Sequence, residues 1–94
     1  MTHHVHVGES SKFHDEFLRR VREAREAVGY TQVEIATGLG IPQDHYKQYE
    51  TRSFMPHELI PRFCVITRVS TDWLLTGRGE RPFRPRPHRS LKTK

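Results

Sequence analysis

Apolar residues recur at Phe13, Phe17, Val21, Ala24 and Val28, three or four apart, the period of a helix with one buried stripe. The spacing predicts a helix from Ser10 or Ser11 that ends at Gly29. The intervening Glu16, Arg19, Arg20, Arg22, Glu23 and Glu26 read as a solvated charged face. On it, Glu16 with Arg20 and Glu23 with Arg19 can form modest pairs about one turn apart.

A second, denser pattern follows. Thr31 is a good N-cap and Glu34, three residues on, can reach back to its amide, so T-x-x-E opens a helix as a capping box. Val33, Ile35, Ala36 and Leu39 supply apolar positions, and Ala36 is small enough for a close helix crossing. Gly40 stands where the chain must leave the helix with positive φ, which costs another residue about 1 kcal/mol. Ile41 then plugs the core from the turn, and Pro42 pre-sets φ for another helix start. In that helix Tyr46 and Tyr49 form an inward stripe, with Gln43, Asp44, Lys47 and Gln48 on the outward face. Two short helices joined by a glycine turn make a helix-turn-helix over residues 32–50.

After Glu50, Thr51, Arg52 and Ser53 begin a loop. A fourth helix follows Pro56 with Leu59, Phe63 and Ile66 inward, and Pro61 is tolerable only in its first turn. Cys64 reads as a small core residue, since a single cysteine has no internal disulfide partner. Ser70 caps a fifth helix over residues 71–76, Asp72 lies near its positive end, and Trp73 and Leu74 finish the core. Phe54, Met55 and Leu75 exceed what so small a core needs and are candidates for a dimer patch.

These residues resemble the Cro/cI-type (XRE-like) helix-turn-helix DNA-binding family. The resemblance rests on Gln32, Ala36, Gly40, Ile41, Tyr46 and Tyr49, on Arg25 with Gly29-Tyr30-Thr31-Gln32 upstream, and on the V-S-x-D-W-L-L-x-G run from Val69 to Gly77. It implies an all-α fold, a compact five-helix lambda-repressor-like domain over residues 12–77. It also implies a largely buried ion pair between Arg25 and Glu50, and phosphate contacts from Gln32, Thr51, Arg52 and Ser53. Arg68 departs from the pattern, standing where the family often has glycine, and arginine in a left-handed conformation is uncommon.

The outward face of the second motif helix suits base reading. Glutamine can bond bidentately to adenine, lysine can donate to guanine, and a carboxylate such as Asp44 can accept from cytosine. The expected function is a sequence-specific transcriptional regulator, a repressor that binds a pseudo-palindromic operator in double-stranded DNA as a homodimer. Asp44 also repels phosphates, which keeps open an antitoxin-like or adaptor module whose partner is a protein such as a toxin.

Charge changes where affinity is expected rather than what is bound. The 94 residues carry a net charge of +5, but residues 78–94 hold seven Lys/Arg against one acid, so that their +6 leaves residues 1–77 at −1. This Pro/Arg-rich tail is expected to be disordered when free and to lie along phosphates. The polar stretch 1–11 is expected to be a flexible arm. Its His3, His4 and His6 lack a second ligand cluster, so neither metal nor cofactor is expected. No apolar run approaches the ~20 residues of a membrane span, and no catalytic constellation or phosphate loop is legible. A cytoplasmic protein that is not an enzyme is expected.

Overall fold

The computed structural model describes residues 7–82, with side chains from Lys12 onward. Five helices follow in order: α1 Val7–Ala27, α2 Gln32–Leu39, α3 Gln43–Thr51, α4 Ile60–Thr67 and α5 Thr71–Thr76, with a 3-10 turn at His57–Leu59 leading into α4. The described residues contain no strand, as the apolar spacing requires.

Local chemistry sets most of the boundaries. Thr31 Oγ1 accepts from the Glu34 amide at 3.1 Å while Glu34 Oε1 accepts from the Thr31 amide at 2.9 Å, so the capping box forms in full. Gly40 turns out of α2 at φ 75°, and the Ile41 amide reaches back to the Ala36 carbonyl at 3.0 Å. Pro42 occupies the N-cap of α3 with ψ 150°, one position before the first helical residue, so it stiffens the approach rather than the first turn. Pro61 lies in the first turn of α4, where its missing amide leaves no bond unmade. Ser70 accepts from the Trp73 amide at 2.9 Å and opens α5.

The helices enclose one core. Phe17, Val21 and Ala24 of α1 meet Ile35, Ala36 and Leu39 of α2, Tyr46 of α3, Phe63 and Cys64 of α4, and Trp73 and Leu74 of α5. Tyr46 and Phe63 stack with centroids 6.5 Å apart. Burying each such side chain is worth about 1.5–3 kcal/mol. Burial also raises the pKa of the Cys64 thiol.

Several positions differ from the sequence expectation. α1 begins at Val7, inside the stretch read as an arm. That stretch is polar with little apolar periodicity, so its sequence carries no helix signal. Phe13 is 44% exposed, whereas Arg20, placed on the solvated face, is 6% exposed. Its Nε donates to the Leu74 carbonyl at 2.8 Å and its Nη2 to the Leu75 carbonyl at 3.0 Å. Arg20 therefore serves the free carbonyl end of α5, a favourable place for a cation. α5 then leaves through Gly77 at φ 81°, and a Cβ there would come within 3.2 Å of Arg20 Nη1.

Met55, offered as part of a dimer patch, is 3% exposed and belongs to the core. The loop between α3 and α4 turns this flexible side chain inward, where it can fill an irregular gap. Arg68 adopts the left-handed conformation, φ 63° and ψ 36°, and the Val69 amide closes the end of α4 on the Cys64 carbonyl at 3.1 Å. The chain thus makes this left-handed turn without glycine. Arg81, in the stretch read as tail, pairs with Glu23 of α1 at 3.1 Å and takes the place expected for Arg19. His3, His4 and His6, and the tail from Phe83 onward, lie outside the described residues.

Candidate nucleic-acid interface

One face of α3 is committed to the interior. Tyr46 is fully buried, Tyr49 packs on the core with its ring edge-on to Tyr46 at 6.3 Å, and Glu50 turns its carboxylate inward. Three helices contribute donors to that carboxylate. Arg25 of α1 donates from Nε to Oε2 at 2.5 Å and from Nη2 to Oε1 at 3.2 Å. Gln32 of α2 donates to Oε1 at 3.1 Å, and the Tyr46 hydroxyl donates to Oε2. The third Arg25 nitrogen, Nη1, donates to the Tyr30 carbonyl at 2.7 Å.

The electrostatics follow from burial and bonding. Burial by itself would raise the pKa of Glu50, but the bonds from Arg25, Tyr46 and Gln32 outweigh it and hold the carboxyl below its ordinary value. The bond to Glu50 raises Arg25 in turn. Burial, then the Glu50 bond, drives the Tyr46 phenol far upward, so it remains a donor.

With that face locked, the helical period leaves the other exposed. Gln43, Asp44, Lys47 and Gln48 are all exposed, and so is His45, which the sequence reading did not include. His45 follows Asp44 and sits about 100° around the helix from Tyr46, at the flank of the buried stripe. Amides that accept and donate, a carboxylate, an ammonium and an imidazole together match the donor and acceptor inventory of base edges.

Thr51, expected to begin the loop, is instead the last residue of α3, and Arg52 and Ser53 follow directly from it. The Arg52 and Ser53 amides both bond to the Gln48 carbonyl at 2.8 Å, and the Thr51 hydroxyl donates to the Lys47 carbonyl at 3.0 Å. Thr51 and Arg52 are exposed and Ser53 is half-buried. Thr51 would have to turn its hydroxyl to serve a phosphate. Gln32 has a task its spacing did not reveal, since its amide nitrogen supports Glu50. Among the patch residues, Phe54 is 47% exposed and Leu75 half-buried.

No group of three or more metal-ligating side chains occurs among the described residues, and none of their helices is long and apolar enough to cross a membrane. The family model described as helix-turn-helix matches residues 21–57, the end of α1 through the loop after α3. No curated protein and no solved structure matches the chain significantly.

Proposed function

We propose that the chain, whose residues 21–57 match the helix-turn-helix family model of the Cro/cI type, is a DNA-binding transcription regulator, and that it acts as a repressor reading a pseudo-palindromic operator as a homodimer. The observation that carries this reading is the division of α3: one side is tied to α1 and α2 through Glu50, and the other presents Gln43, Asp44, Lys47 and Gln48 to solvent. A helix held from behind by two others can offer its outer side chains in one fixed orientation, which base discrimination demands. Gln32, Thr51, Arg52 and Ser53 contact phosphates in this reading and set the register. Phe54 and Leu75 remain the residues proposed for the dimer contact. Two-fold symmetry in the protein would be mirrored in the operator.

Selection from a randomised duplex library tests the assignment. Gln43→Ala or Gln48→Ala should cost about 1–3 kcal/mol and relax one operator position. Preferences identical to the parent's would remove these residues from the reading set. An inverted repeat among the selected sites supports the dimer, and a single half-site counts against it.

Exposed Asp44 at the first turn of α3 favours one competing reading, a protein-interaction module whose partner is a protein such as a toxin. In that case the library would return no enriched sequence. Within the DNA reading, Asp44 selects cytosine and stabilises the helix N-terminus.

A further inference from the structure

α1 touches the proposed phosphate segment at a second point, eleven residues before Arg25. The Nε2 of His14 donates to the Arg52 carbonyl at 2.8 Å across 38 residues of sequence. Its ring also stands edge-on to Phe54, with centroids 4.4 Å apart and an interplanar angle of 89°. Phe17 and Phe13 flank the same Phe54 ring at 5.3 and 5.9 Å. The α1 end of the domain therefore grips residues 52–54 by one hydrogen bond and an aromatic cluster.

Arg52 is where α3 stops. Its backbone, φ −150° and ψ −23°, has left the helical region. Its amide and that of Ser53 still bond back to α3, while its carbonyl takes a hydrogen bond from His14. Residues just past a helix end fray readily, and an exposed arginine has many rotamers. Fixing both ends of the Arg52 peptide unit sets the direction in which its side chain and the Ser53 hydroxyl leave the backbone. A carbonyl only accepts, so the bond requires the His14 proton on Nε2.

We propose that His14 is a positioning residue for DNA binding: by holding the Arg52 carbonyl and packing on Phe54, it pre-orders Arg52 and Ser53 for a phosphate. This inference rests on the DNA-reading assignment above. Its physical content is that ordering completed in the free protein is not charged to the binding step. His14 itself touches no base in this account, so it affects affinity and leaves sequence preference alone.

Two variants of the full chain separate the parts of the contact. His14→Phe keeps an aromatic ring against Phe54 and loses the donor, whereas His14→Gln keeps a donor at the reach of Nε2 and loses the ring. Backbone ¹⁵N order parameters at Arg52 and Ser53 of the free protein should fall in His14→Phe and recover in His14→Gln. Affinity of His14→Phe for the selected duplex should drop about two- to tenfold, the effect of one ordinary hydrogen bond. Its salt dependence should flatten by about 0.9 in log–log slope, for one lost phosphate contact. Base preferences should match the parent's. His14→Phe indistinguishable from the parent in order parameters and slope would overturn the proposal, and so would a His14→Gln impaired as severely as His14→Phe. A parent chain that selects no duplex at all overturns the DNA reading and this inference together, which distinguishes that failure from failure of the His14 contact alone.

Discussion

Arg25 and Glu50, 25 residues apart, meet side-on, with Arg25 Nε 2.5 Å from Oε2 and Nη2 3.2 Å from Oε1. Only 12% of the Arg25 side chain and 2% of the Glu50 side chain are exposed. The contact joins the first helix to the end of α3, so it bears on stability and on the placement of the outer α3 face.

Removing one partner should strand the other. Arg25→Ala leaves a buried carboxylate whose strongest donor is gone, and the expected loss is about 3–5 kcal/mol. Glu34→Ala removes half of a capping box and should cost about 1 kcal/mol. Chemical denaturation of the two variants decides the matter, because equal small losses would show that the ion pair contributes little.

Acid should act through Glu50. Its pKa is lower in the folded chain than in the unfolded one, so on acidification the unfolded chain binds the proton first. The stability it contributes is complete above the unfolded value, about 4.3 for glutamate, and is lost as pH falls through the lower folded value. Urea midpoints of the parent and Glu50→Gln should keep a constant separation near neutral pH and converge in acid. A separation that widens in acid contradicts the assignment.

Arg20 and Arg19 are neighbours of the same chemistry and opposite consequence. Arg20→Ala leaves the Leu74 and Leu75 carbonyls without their donor and should cost about 1–3 kcal/mol, with faster amide exchange through α5. Exposed Arg19→Ala should stay within about 0.5 kcal/mol. Burial lowers the Arg20 pKa, as expected for a cation served mainly by carbonyls.

Arg68→Gly should stabilise the domain. The left-handed conformation costs a residue with a Cβ about 1–2 kcal/mol, and glycine's greater unfolded-state freedom returns part of that, leaving a gain of up to about 1 kcal/mol. A higher melting temperature is the expected result, and a lower one would mean that the Arg68 side chain makes a compensating contact.

What the amino-acid sequence determined by itself is the local grammar: the Thr31–Glu34 capping box, the Gly40 exit, the Ser70 cap with the span of α5, and the exposure of Gln43, Asp44, Lys47 and Gln48. Each depends on groups within about four residues of one another or on the period of a helix already anchored by Tyr46, so no distant partner is needed to infer it. The Arg25–Glu50 pair was legible only through the family resemblance, since neither spacing nor charge distinguishes Arg25 from its neighbours. Tertiary structure alone decided that Arg20 turns inward to α5, that Met55 fills the core, that Gln32 and the Tyr46 hydroxyl converge on Glu50, and that His14 holds the Arg52 carbonyl. Helical period tells which way a Cβ points. It does not tell where the polar head of a long side chain ends, because that is set by whichever unsatisfied carbonyl or carboxylate the folded chain brings within reach.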